Sequence, residues 1–147
     1  QVVEILRSNF ENGLSGGWSE STNVAVQSGV AVGQYALGLV DGGAVSQRSV
    51  STAGYTGVSV TMRLAAEGLQ NKDFCVAEYS TNGGSTWSTV LQVGDGSDNG
   101  TFAAGTVSPS AASNNANFRL RYRVIGNGKG DYCYGDEVVV TGTVSGG

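Results

Sequence analysis

The chain has 147 residues, with 8 Lys and Arg against 12 Asp and Glu, 24 glycines, one proline, two cysteines and no histidine. That length suits a single domain with its own core, and no apolar run approaches the ~18–20 residues of a membrane-spanning helix. The absence of histidine removes Ser-His-Asp and Cys-His catalysis and imidazole-bound zinc, two cysteines are too few for a four-thiolate site, and an acidic chain without a basic tract is a poor partner for nucleic acid.

The chain begins at Gln1 with no initiator Met or leader, as expected of a mature fragment or of a domain cut from a longer protein. Gly and Asn clusters separate runs rich in Val, Thr, Ser and aromatics, which is the pattern of short strands in an all-β sandwich or barrel. Residues 24–32, 35–40 and 46–50 read as strands. Residues 57–64 alternate most clearly, with Val58, Val60, Met62 and Leu64 on one face and Ser59, Thr61 and Arg63 on the other. The best helical stretch, 63–72, supports at most a short turn. Strands follow at 74–80 and 86–93, then a polar region with a short strand at Thr101-Phe102-Ala103 and the single proline, Pro109. In 118–125, Phe118, Leu120, Tyr122 and Val124 oppose Arg119, Arg121 and Arg123. The last long strand is 131–141. One domain over 1–142 with the start of a linker at 143–147 is the expected organisation.

The turn Ser80-Thr81-Asn82-Gly83-Gly84-Ser85-Thr86-Trp87 is the strongest local motif. Asn-Gly suits a hairpin because such turns need positive φ. The stretch resembles the Asp box of secreted β proteins, with Asn82 in place of Asp, and a structural hairpin with its Trp tucked underneath is the expectation. Cys75 and Cys133 each follow an Asp-aromatic pair at the start of a strand. If those strands are neighbours a disulfide is possible; the alternative is two buried thiols, and a secreted character favours the disulfide. With the cysteines inward, strand parity turns Phe74, Glu78, Tyr132, Tyr134, Arg63 and Arg121 to one outer face. Aromatic faces that stack and Arg and Glu groups that bond hydroxyls suit a sugar; the plainer reading is a solvated, salt-bridged sheet face. Asn99-Gly100-Thr101 matches a glycosylation sequon and carries no functional weight.

Taken in order, Asn9-Phe10-Glu11-Asn12-Gly13-Leu14, Gly17-Trp18, Tyr35-Ala36-Leu37, Val50-Ser51-Thr52-Ala53-Gly54-Tyr55, Glu78-Tyr79-Ser80 with its turn, Phe118 to Arg123, and Asp131-Tyr132-Cys133-Tyr134-Gly135-Asp136 followed by Val138 to Gly142 resemble the MAM-like, carbohydrate-binding-module-like jelly-roll domains appended to secreted bacterial hydrolases. The resemblance spans nearly the whole chain. It implies an all-β, two-sheet antiparallel β-sandwich of jelly-roll type. It also implies a structural calcium between an N-terminal Phe-Glu segment and a C-terminal Asp-Asp-Val segment. Glu11 and Asp136 match that pattern, Gly135 stands where its first Asp would be, and Asp41 is a further candidate ligand.

The leading functional expectation is a noncatalytic, monomeric carbohydrate-binding module that is secreted and keeps a covalently linked enzyme on a polysaccharide, with no nucleic-acid or membrane partner. Candidate ligand-binding residues are Trp18, Phe74, Tyr132 and Tyr134 for stacking and Arg63, Glu78, Arg121 and Arg123 for hydrogen bonding; a loop-tip site using Trp18 or Tyr35 is the alternative placement. A MAM-like protein-interaction or adhesion module would instead expose a large apolar patch. An accessory domain of a secreted peptidase is a third reading. A glycosidase would need two carboxylates on one face, for which Glu78 and Glu137 are the pair.

Overall fold

The computed structural model describes residues 2–8, 10, 18–20, 24–27, 31, 35–40, 43–69, 73–94, 99–126 and 131–144. Among these, eleven strands run β1 (Val2–Ser8), β2 (Ser19–Glu20), β3 (Val24–Gln27), β4 (Ala36–Val40), β5 (Val45–Ser49), β6 (Tyr55–Glu67), β7 (Phe74–Ser80), β8 (Ser88–Gly94), β9 (Ala103–Val107), β10 (Arg119–Ile125) and β11 (Tyr132–Val144). One short 3-10 turn, Ser110–Ala112, follows Pro109.

The strands form two antiparallel sheets packed as a β-sandwich. The six-stranded sheet has the order β3-β4-β11-β6-β9, with β1 added against β11, and the five-stranded sheet has the order β2-β5-β10-β7-β8. The strand expected at 57–64 is longer than its alternation suggested. β6 continues through Ala65 and Ala66 to Glu67, so the best helical candidate lies in part on a strand. β11 runs to Val144, two residues into the segment read as linker, because Thr143 pairs with both Val2 and Thr56.

Period-two alternation sets the core. Val58, Val60, Met62 and Leu64 on β6 meet Phe118, Leu120, Tyr122 and Val124 from the β10 segment across the sandwich, and all are buried. Fully burying a side chain of this size contributes roughly 1.5–3 kcal/mol. Tyr122 fills the centre, donating its hydroxyl to the Arg63 carbonyl at 2.9 Å. Burial raises its pKa far above the ordinary phenol value, so it stays a neutral donor.

Gly135 is required by this packing. A Cβ there would lie 2.5 Å from the Tyr122 ring, so the backbone of β11 approaches the ring where a side chain would collide. This is the physical reason that glycine stands at the position where the jelly-roll pattern carries its first Asp. One residue beyond Asp136, Glu137 has φ of 50° and the pairing of β11 with β6 shifts between Asp136 and Val139, a β-bulge that leaves Glu137 and Val138 out of the β6 register just after Asp136.

Candidate functional site

Each cysteine points into the sandwich, as parity predicts, but the two strands are not neighbours in one sheet. Cys75 on β7 and Cys133 on β11 form a disulfide between opposite sheets, with Cα atoms 5.6 Å apart. The expected single platform therefore divides. Phe74, Glu78, Arg121 and Arg123 belong to the outer face of the five-stranded sheet. Arg63, Tyr132 and Tyr134 belong to the outer face of the six-stranded sheet, on the other side of the molecule. The parity argument holds within each strand and fails between strands, because it assumed that a disulfide joins neighbours.

On the five-stranded face, register brings Glu78 opposite Arg121 and Val76 opposite Arg123, with Gln47 of β5 on the far side of Arg121. Arg121 Nε donates to Glu78 Oε1 at 2.6 Å, Arg123 Nε donates to the same oxygen at 2.7 Å, and Arg123 Nη2 donates to Oε2 at 3.2 Å. Only 6% of the Glu78 side chain is exposed, against 20% of Arg121 and 37% of Arg123. Burial alone would raise the Glu78 pKa. The hydrogen bonds and charges of Arg123 and Arg121 outweigh it and bring the carboxyl below its ordinary value. The Arg121 guanidinium lies over the Trp87 ring, 4.0 Å from its centroid. Arg119 completes the row, opposite Ser80 and Ser49.

Trp87 is a residue that sequence reading assigned to structure alone. The turn before it is indeed a structural hairpin. Ser80 Oγ accepts the N–H of Gly84 at 2.9 Å, Asn82 Oδ1 accepts that of Thr86 at 3.0 Å, and Gly83 and Gly84 both have positive φ. Trp87 Nε1 donates to the Gly84 carbonyl, which orients the indole against Arg121 and not into the core. The motif's fixed spacing between turn and Trp was the available signal.

On the six-stranded face, Tyr134 is buried and donates its hydroxyl to Glu67 Oε1 at 2.8 Å, while Tyr132 is 40% exposed opposite Glu67 and Val40. Burial, then Glu67, raises the Tyr134 pKa. Arg63 pairs in register with Asp136.

Trp18 is a correction. It is 5% exposed, packs between Phe10 and Tyr122 at 6.1 and 5.7 Å, and donates Nε1 to Ser8 Oγ at 3.2 Å, so its rings are spent on the core and offer no stacking surface. The carboxylate pair considered for hydrolysis also separates. Glu78 is in the five-stranded sheet, whereas Glu137 is in the six-stranded sheet and bridges to Arg7 at 3.4 Å. Of the three candidate calcium ligands, Glu11 and Asp41 lie outside the described residues. Asp136 is fully buried, and its Oδ1 accepts the Glu137 N–H at 2.8 Å. Among the described residues no group of three Asp, Glu, Cys or His converges as a metal cage, and no helix is long and apolar enough to cross a membrane.

No family model and no curated protein matches the sequence. Solved structures do match the fold. The xylan-binding CBM22-1 domain of Xyn10C from Paenibacillus barcinonensis has a TM-score of 0.66 at 16% identity, covering 99% of this chain and 97% of that one. A family 61 carbohydrate-binding module solved with β-1,4-galactotriose has a TM-score of 0.70 at 14% identity, covering 94% and 97%. The K3 adhesin domain of Lys-gingipain from Porphyromonas gingivalis has a TM-score of 0.65 at 16% identity, covering 96% and 99%. The MAM half of the resemblance finds no support in these matches; the chain shares the two-sheet antiparallel β-sandwich fold of these carbohydrate-binding domains.

Proposed function

We propose that this chain is a noncatalytic carbohydrate-binding module that keeps a covalently linked, secreted enzyme on a polysaccharide and works as a monomer. The observation that carries the reading is the row on the five-stranded face, where buried Glu78 anchors Arg121 and Arg123 and Arg121 rests on Trp87. Guanidinium groups fixed in this way offer directed donors to hydroxyl and carboxylate oxygens with little rotamer entropy left to lose on binding. Phe74 borders the row as an apolar contact for a sugar ring, beside Gly94, whose missing side chain leaves room for its ring. The xylan- and galactotriose-binding domains with the same fold support the ligand class.

Hydrolysis is disfavoured by the same geometry. A glycosidic general acid needs a raised pKa and access to the leaving oxygen. Glu78 has a lowered pKa, is 4% exposed, and has both oxygens committed to arginines. The adhesion reading draws on the gingipain domain, yet the large apolar side chains exposed among the described residues are Val2, Val144 and Tyr132, which form no broad patch.

The test is affinity electrophoresis against a panel of plant and microbial polysaccharides with calcium present. Retardation in at least one gel, lost in Arg121→Ala, is the expected outcome. Unretarded migration in every gel would overturn the reading.

A structural calcium held by Glu11, Asp136 and Asp41 belongs to this proposal. The buried Asp136 carboxylate is a hard oxygen donor of the kind calcium takes. EDTA should lower the melting temperature. Free calcium at about a hundredfold its dissociation constant stabilises by about 2.7 kcal/mol, and an unchanged transition would refute the site.

A further inference from the structure

We infer that the ligand of the five-stranded face is an acidic polysaccharide, one bearing uronate carboxylates; this rests on the carbohydrate-binding reading above. The chain as a whole is acidic, with a net charge of -4 and only eight cationic side chains. Three of those eight, Arg119, Arg121 and Arg123, stand in one row on one face of β10. Their partner there is a single carboxylate, Glu78, shared between two of them. The residues opposite the row on β5 and β7, apart from Glu78, are Val45, Gln47, Ser49, Val76 and Ser80, and none is acidic. Among the described side chains of this row and its cross-strand neighbours, three guanidiniums stand against one carboxylate, a locally positive surface on a negative protein.

The hydrogen bonds also show which donors remain. Glu78 takes Nε of Arg121 and Nε and Nη2 of Arg123. Among the described residues, both terminal nitrogens of Arg121, Nη1 of Arg123 and the whole Arg119 guanidinium make no hydrogen bond or ion pair. Alternate residues of a strand lie roughly 6.6 Å apart, so the row presents charge at a repeating interval along a line. A polymer with carboxylates along its length matches that line, and each carboxylate offers the two-oxygen edge that a guanidinium binds bidentately. A neutral sugar hydroxyl would use these donors without answering their charge.

The acidic remainder of the chain does not cancel this attraction. At physiological ionic strength the screening length is about 8 Å, so a carboxylate touching the row senses its guanidiniums far more strongly than acids elsewhere on the surface. The same screening makes the binding salt-dependent.

The test uses three uronate polymers, polygalacturonate, alginate and glucuronic-acid-substituted xylan, each beside its carboxyl-reduced form, with binding measured by calorimetry at low and high salt. For at least one pair the acidic polymer should bind about tenfold or more tightly than the reduced one, with the preference shrinking as salt rises. Arg119→Gln, which removes a guanidinium that makes no hydrogen bond or ion pair among the described residues, should reduce that preference severalfold while leaving the melting temperature nearly unchanged. Equal affinity for acidic and reduced forms would overturn the inference and leave the carbohydrate-binding reading standing. Binding to neither form, nor to any neutral polymer of the panel, would overturn both.

Discussion

The outer faces of the two sheets handle polar groups in opposite ways. On the five-stranded face a buried carboxylate, Glu78, is held by two arginines that stay partly in water, so positive charge is fixed at the surface. On the six-stranded face the buried partner is a neutral phenol, Tyr134, and its acceptor is the more exposed Glu67, so the group left at the surface is negative. The first arrangement builds a rigid cationic row, and the second builds an isolated hydrogen bond beside an exposed tyrosine. Only the first is directed, pre-ordered and repeated along a strand.

The disulfide is the covalent tie between these faces, and cutting it should give the largest effect. A 58-residue separation closes a long loop, for which chain entropy gives about 4 kcal/mol and typical measurements about 2–4 kcal/mol. Replacing both Cys75 and Cys133 by Ala should lower stability by that amount in urea titration. Binding by the residual folded protein should persist, since no member of the Arg row touches the bridge. A loss of binding in the folded double variant would mean that the tie shapes the face and does not merely stabilise the sandwich.

Glu78→Gln comes next. It keeps the shape of the side chain and removes the charge that holds two guanidiniums. Breaking a fully buried pair costs ~3–5 kcal/mol, but Arg121 and Arg123 are partly exposed and can hydrate, so about 1–2 kcal/mol is expected. The pH dependence has a definite sign. The folded-state pKa of Glu78 is depressed from an unfolded value near 4.5, so its stabilisation is complete above that pH and is lost as the pH falls through the lower folded value. Urea midpoints measured from pH 6 downward should converge for wild type and Glu78→Gln in this acid range. Midpoints that stay parallel would show that the pair contributes nothing.

Why the sequence revealed one part of this comparison and hid the other follows from the range of each signal. Alternation in 57–64 and 118–125 is local, and it located β6, β10, their inward faces and the Arg row. The inward direction of both cysteines was equally local and correct. Whether β7 and β11 share a sheet depends on pairing between residues some sixty positions apart, which period-two spacing does not encode; hence Tyr132, Tyr134 and Arg63 were grouped with a face they do not occupy. Trp18 and Trp87 show the same limit. A Trp reads as core or as platform only through its neighbours, and Tyr122 and Arg121 are distant in sequence from the Trp they contact.

The smaller effects sharpen the comparison from its other side. Tyr134→Phe removes one hydrogen bond to a carboxylate and should cost about 1 kcal/mol. Tyr132→Ala removes an aromatic ring that is 40% exposed with no ring or hydroxyl partner among the described residues, so stability should change by less than about 0.5 kcal/mol. Its value lies in binding. If the ligand lies along the Arg row, Tyr132 is on the wrong side of a sandwich whose sheets are about 10 Å apart, and the variant should bind as tightly as wild type. A severalfold loss would require the polymer to contact the six-stranded face, either by wrapping an edge or by using that face instead. Arg121→Ala measured beside it separates these cases. Loss in both variants means a wrapped ligand, whereas loss in Tyr132→Ala alone moves the site to the six-stranded sheet and returns the Arg row to the role of a salt-bridged surface.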